Sequence, residues 1–329
     1  MKFIFAILAL ALSACTTLSK PFFYEASQYS NRVFIFGTIH AGVPIDDVPS
    51  SIISKIDASQ NIVAEIDPER TSLKENITAR FTQERKEIFA LLQDVQKKNP
   101  KLAKGLSEKM EMTLPSVPIV IAMPELKLSQ RLSPKAFALA QNYLSMIEPD
   151  LLERISPAAA SRFIAETRLE QVSVGVSWAN RFDPKFSLDL NLLSRAAGQN
   201  KFVTQLDDDE VLSPHCQDLL DSIQIVDIFE KGLVQKVKDL DRLVDVYKTG
   251  EEKKMIALTN ELGGGTNVCT LDERNQKWLP TIIQATERAG MYGNPPAFVL
   301  VGAAHLFGPQ GILELLKRSG FSVQRVEKY

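Results

Sequence analysis

Two segments near opposite ends of the chain carry the same order of residues. In the first, Val33-Phe34-Ile35-Phe36 runs into Gly37-Thr38-Ile39-His40. In the second, Phe298-Val299-Leu300-Val301 runs into Gly302-Ala303-Ala304-His305. A short unbroken run of β-branched and aromatic residues reads as a buried strand. A glycine at its end lets the chain turn sharply or approach a neighbour closely. Each histidine is followed by a helix-like stretch (50–56 and 309–318) and then by a further strand (61–66 and 321–326). Two strand–Gly-x-x-His–helix–strand units can pair about a pseudo-twofold axis, share one sheet and bring both histidines to one edge. The expected class is α/β (α+β), with a mixed β-sheet built from the two units.

The sequence between the units is a large helical insertion. Residues 72–164 read as mostly helical, and 80–98 has the charge density of an exposed helix. Residues 134–146 form an amphipathic helix with Ser133 as cap and Pro134 at its first position. The apolar stretch 117–123 fits strand or helix. A helix over 188–197 stops at Gly198, and 202–206 is a strand. Residues 208–260 are helical with a break at Gly250, Gly263 to Gly265 form a loop, and a helix over 270–289 is expected to kink at Pro280. No linker rich in proline, glycine or serine divides the chain, so residues 15–329 read as a single domain. With 329 residues, 45% of them apolar, such a domain builds its core without a metal or disulfide to hold it.

The first fourteen residues read as an address. Lys2 precedes an apolar run from Phe3 to Leu12, too short to span a bilayer, and small residues follow. This is a signal peptide over residues 1–14. Leu12-Ser13-Ala14-Cys15 resembles a bacterial lipobox, in which the cysteine is lipidated and becomes the mature N-terminus. Thr16, in place of an aspartate, points to the outer membrane rather than the inner. The expected location is the bacterial cell envelope, lipid-anchored through Cys15 and facing the periplasm. Two cysteines remain, Cys216 and Cys269; an even pair in an oxidising compartment can form a disulfide, although spacing alone does not say whether they meet. A net charge of −2 argues against a nucleic-acid partner, which requires clustered cations.

Few residues carry chemistry. The chain has three histidines. His215 follows Ser213-Pro214 in a polar turn and reads as a surface residue. His40 and His305 occupy matched places beyond apolar strands, where sites gather in open α/β sheets. One histidine beside an apolar run is commonly structural; two in register favour a divalent-metal site. Glu65 lies within Ile62-Val63-Ala64-Glu65-Ile66, and a carboxylate is costly to bury unless paired or bound to a metal. It reads as third ligand or general base, with Asp67 a lesser candidate beside it. Thr270-Leu271-Asp272-Glu273 fits a helix capping box, which gives Glu273 a structural task. Arg274, next to it, opposes the helix dipole and needs a compensating partner. It can stack on Trp278, four residues on, or face an anionic group or developing oxyanion. Asp207 opens an acidic run at a strand end and can stand behind the site. Other templates fail: no H-E-x-x-H, C-x-x-C or phosphate loop occurs, and Gly175-Val176-Ser177-Trp178-Ala179 lacks the final glycine of a nucleophile elbow.

Together Gly37 to His40, Glu65, Arg274 within Glu273-Arg274-Asn275-Gln276-Lys277-Trp278, and Gly302 to His305 resemble the TraB/PrgY/GumN family, which includes the Tiki proteases. The tail from Gly302 to Gly308, with Gly311, Leu315 and Gly320, is also similar to that family. One departure is Leu206-Asp207, where the family often has leucine-glutamate. The resemblance implies a metal-dependent, peptidase-like hydrolase in which His40, His305 and Glu65 hold manganese, cobalt or zinc. Glu65 and Arg274 would take part in catalysis on a peptide or small-molecule substrate. Two other readings stand beside it: a haem- or metal-binding lipoprotein without catalysis, and a regulatory, peptide-binding envelope protein.

Overall fold

In the computed structural model of the chain, described for residues 18–65, 71–110, 113, 119–121, 123–168, 187–207, 213–263 and 266–327, a single six-stranded sheet forms the centre. The signal peptide, Cys15, Asp67 and the elbow-like stretch at 175–179 lie outside the described residues, as do residues 117, 118 and 122 of the apolar stretch 117–123. The strands are β1 (Phe23–Gln28), β2 (Asn31–Thr38), β3 (Asn61–Ala64), β4 (Phe202–Gln205), β5 (Ala297–Gly302) and β6 (Ser322–Arg325). Their spatial order is β4-β3-β5-β2-β1-β6. β4, β3, β5 and β2 run parallel, whereas β1 is antiparallel to both β2 and β6. The class is mixed α/β with a large helical part.

The two histidine units interleave. β2 and β5 are parallel neighbours, with Val33 opposite Ala297 and Thr38 opposite Gly302. Both are buried along nearly their whole length, as expected of continuous apolar strands covered on both faces. The first unit passes over β5 to reach β3; the second passes over β2 and β1 to reach β6. The intervening strand β1 therefore breaks the pseudo-twofold at the outer strands. That strand was not expected from the sequence. Its Glu25, Ser27 and Gln28 interrupt the apolar pattern, and its two-residue hairpin turn uses Tyr29 at φ 54° rather than an Asn-Gly pair.

The helices divide between two apolar clusters. The sheet core collects β1–β3, β5 and helices Ser50–Ala58, Leu188–Gly198 and Glu273–Met291. The second cluster is built by the helical insertion, chiefly Thr71–Lys98, Pro134–Tyr143, Pro157–Arg168 and Pro214–Glu230. In the stretch 80–98, residues 82–98 are half-buried rather than exposed: Ile88, Leu91, Leu92 and Val95 face inward. Glu87 and Asp94 are buried with them because Ser156 and the backbone N–H of Glu148 donate to their carboxylates. Ser133 caps its helix through Ala136 N–H, as the sequence predicts. The 208–260 stretch breaks at Lys231 as well as at Gly250, whose φ is 63°. Among the described residues, no helix is long and apolar enough to cross a membrane.

The helix expected from Thr270 begins differently. Residues Val268–Asp272 form a single π-helical turn that runs into Glu273–Met291, and Pro280 is accommodated inside that helix. Thr270 Oγ1 donates back to Thr266 O, so no capping box forms. Arg274 is thus not in a free first turn, and its environment, rather than the helix dipole, explains it. The helix expected over 309–318 starts at Ile312, after a 3-10 turn Ala303–Leu306 that contains His305.

Candidate functional site

Four adjacent parallel strands end on one edge of the sheet, and each delivers one side chain there. His40 lies two residues past β2, Glu65 one past β3, Asp207 two past β4 and His305 three past β5. The point on which three of them converge is Gly302. A Cβ at this position would lie 3.2 Å from Glu65 Oε1, 3.6 Å from His305 Cδ2 and 3.9 Å from His40 Nε2. Gly302 sits at φ −54°, ψ 135°, a conformation open to any residue, so the glycine is there for space and not for backbone freedom.

Glu65 is gripped from two sides. Gly302 N–H donates to Oε1 at 2.5 Å and Arg274 Nη2 to Oε2 at 2.9 Å. Burial raises its pKa, but His305, Arg274, the Gly302 amide and His40 outweigh that and hold the carboxyl below its ordinary range. Arg274 is the hub. Its Nε and Nη2 donate to Asp207 at 3.3 and 2.7 Å, and its Nη1 to Thr270 O at 3.4 Å. Nη1 also lies 3.3 Å from His305 Nε2, and the guanidinium stacks 4.5 Å above the Trp278 ring. Arg274 thus stacks on Trp278 and at the same time pairs with the carboxylates of Glu65 and Asp207. All three of its nitrogens are engaged within the protein, so turning toward an oxyanion would require one of these bonds to yield. Asp207 does not reach the histidines; it anchors Arg274 and accepts from Trp278 Nε1 at 2.9 Å. Burial lifts the Asp207 carboxyl, opposed by Arg274 and the indole.

The two histidines differ sharply. His305 is 5% exposed, lies against the Trp278 ring at 4.5 Å, and has Asn275 Oδ1 2.7 Å from its Nδ1. Burial drives its pKa down to about 3, so the ring is neutral. The His40 side chain is 66% exposed, with Nδ1 2.8 Å from Asp189 Oδ2. The hydrogen bond to that carboxylate raises its pKa above the ordinary value, against partial desolvation of the ring by its neighbours. Sequence reasoning missed Asp189 and Asn275. An acid in the first turn of a helix and an amide beside Arg274 are ordinary local choices, and only the fold brings them to the rings. It also missed Thr38, whose buried hydroxyl has no partner among the described residues and lines, with Glu65 and Asp189, a cavity of about 10 Å³, room for one water. His215 is exposed on its helix.

The donor set suits a divalent ion. A metal-bound histidine commonly has its other ring nitrogen held by a carboxylate or carbonyl, and Asp189 and Asn275 do this for both rings. Nitrogen and oxygen donors of this kind suit manganese, cobalt or zinc. The spacing is wider than a closed ligand set: His305 Nε2 is 4.0 Å from Glu65 Oε1, and uptake requires His305 to exchange its Arg274 contact for the ion. Among the described residues, the compact ligand group is instead Cys216, Cys269 and Glu273. Its two sulfurs are joined as a disulfide, S–S 2.00 Å, which ties helix Pro214–Glu230 to the π-turn preceding Arg274.

Fold and site together define an α/β protein with a histidine- and carboxylate-lined centre at its parallel strand ends. A model of the TraB/PrgY/gumN family matches residues 101–325, and the chain belongs to that family. The match takes in Asp207, Arg274 and His305; His40 and Glu65 lie before it and join them through the sheet. No curated protein and no solved structure matches the chain.

Proposed function

We propose that the chain is a peptidase-like hydrolase of the bacterial envelope whose site takes up one divalent metal on His40, Glu65 and His305. The observation that carries this reading is the convergence of those three side chains, from three strands, beside Gly302. A bound ion would supply an acidified water for attack on an amide or ester carbonyl. The chain's own residues do the rest. Arg274 and Gly302 N–H keep Glu65 ionised and in place, as a ligand or as the base at the site. Neutral His305 presents Nε2 at the buried wall, and His40, paired with Asp189, stands at the exposed mouth, where substrate enters. Residues 1–14 and Cys15 support a lipid anchor in the outer membrane, facing the periplasm; mass analysis of the mature N-terminus tests it, and an unmodified or uncleaved terminus would refute it.

The deciding experiment is elemental analysis of the signal-free protein beside a His40→Ala/His305→Ala variant. About one divalent metal in the parent and none in the variant is the expected result, followed by a peptide and ester screen with manganese, cobalt and zinc. Absence of metal from both after loading overturns the reading.

A further inference from the structure

We propose that Asp189 and Asn275 are positioning residues that fix His40 and His305 with the proton on Nδ1, so that both rings turn Nε2 toward the space beside Gly302. This deepens the reading above and rests on it only for the use to which the two Nε2 atoms are put.

Donors and acceptors around the two rings fix which nitrogen carries the proton. Asn275 Nδ2 donates to His305 O at 3.2 Å and to Gln310 O at 2.9 Å. Carbonyls only accept, so the amide nitrogen must face them and Oδ1 must face His305 Nδ1. An amide oxygen does not donate; the proton of that 2.7 Å bond therefore belongs to Nδ1. His305 Nε2 is left with a lone pair, consistent with its contact to Arg274 Nη1. At the other ring the lock is a carboxylate. Asp189 Oδ2 accepts from His40 Nδ1, and its Oδ1 accepts from the Ser187 hydroxyl at 2.9 Å. An ionised carboxylate has no proton to give, so Nδ1 again carries one.

Asp189 is held for this task. It lies in the first turn of helix Leu188–Gly198, where an anion is favoured. The same helix start is tied to the first histidine unit, because Leu188 N–H donates to Ile39 O, the residue before His40. A ring without a partner on Nδ1 is free to hold its proton on either nitrogen. Neither lock lies within a Gly-x-x-His motif, and the two come from different helices.

Ring nitrogens report this directly. Long-range proton–nitrogen correlation spectra of ¹⁵N-labelled, metal-stripped protein at alkaline pH distinguish the two neutral tautomers, and exposed His215 serves as reference. We expect both His40 and His305 as the Nδ1–H form. Asp189→Ala should release His40 and leave His305 unchanged, whereas Asp189→Glu should restore the lock. Asn275→Ala should loosen the His305 ring while Arg274 Nη1 at Nε2 still favours the proton on Nδ1, and Asn275→Asp, which keeps an acceptor, should hold the ring in place. Should Asn275→Ala not fold, the Asp189 pair at the exposed mouth still decides. Manganese titration of the same proteins should show affinity falling about 10–100-fold in Asp189→Ala. A proton on Nε2 in the parent, or a His40 ring indifferent to Asp189→Ala, overturns the proposal. Locked tautomers in a protein that takes up no manganese would support the positioning roles while removing the metal.

Discussion

The two Gly-x-x-His motifs share a local pattern and lie on neighbouring parallel strands, yet they meet opposite surroundings. Gly37 faces protein: an added Cβ would lie 2.7 Å from Leu306 Cδ1 and 3.1 Å from Ala303 Cα, the backbone of the other motif's turn. Gly302 faces the site. The strands pair Thr38, not Gly37, with Gly302, so the motifs are staggered by one residue and their glycines point to opposite faces of the sheet. His305 is buried, neutral and held by an amide; His40 is exposed and held by a carboxylate that favours its charged form. A repeated motif thus supplies two chemically different histidines, because side chains from the rest of the chain set what each ring can do.

The largest effect should come from the buried side. Arg274→Met leaves Glu65 and Asp207 without their shared cation. Urea unfolding should show a loss of about 3–5 kcal/mol, eased by acid that protonates the two carboxyls. A loss under about 1 kcal/mol would show that the arginine is not the hub described here. Next is the disulfide. Joint Cys216→Ser/Cys269→Ser replacement should cost about 2–5 kcal/mol and move the NMR signals of His305 but not of His40, because the bridge ends on the turn that leads into Arg274. Equal movement of both rings would break the division drawn between them.

The glycines give the sharper contrast. Gly37→Ala forces a methyl group into packed side chain and backbone, and should cost about 1–3 kcal/mol by thermal or urea unfolding. Gly302→Ala should cost under about 1 kcal/mol, since its backbone is relaxed, yet abolish metal uptake by filling the site. Two equal stability losses, or full metal uptake by Gly302→Ala, would contradict this assignment.

The smallest effect is in pH. For metal-stripped protein, the folded His40 has a raised pKa, so its contribution is complete below about 6.5 and fades as pH rises through the folded value. His305 works in the other direction. Its folded pKa of about 3 means that only the unfolded chain takes up the proton between about 6.5 and 3, so its neutral burial weakens the fold as pH falls through that window. Stability profiles of His40→Ala and His305→Gln against the parent should differ on opposite sides of pH 6.5. Differences on the same side would mean that the two rings share one environment.

Much of this was legible from residue order. Continuous apolar runs can be satisfied only as covered strands, which identified β2 and β5, and a carboxylate in such a run marked Glu65. Strand β1 was not legible, because its polar residues are accommodated by pairing with β2 and β6 and by the Glu25–Arg32 ion pair across the hairpin. Nor was the start of the arginine helix, where a π-turn tied by a disulfide took the place of a capping box. The sequence by itself determined the two histidine units and the glutamate between them, since these follow from periodicity and the cost of burying charge; it marked Arg274 through a helix-dipole argument that the preceding π-turn removes. Tertiary structure alone decided the one-residue stagger, the partners Asp189 and Asn275, and hence which ring is held by a carboxylate that raises its pKa and which is buried and neutral. Those depend on contacts between residues about 30 and 150 positions apart, and short-range pattern carries no record of distances that only chain packing creates.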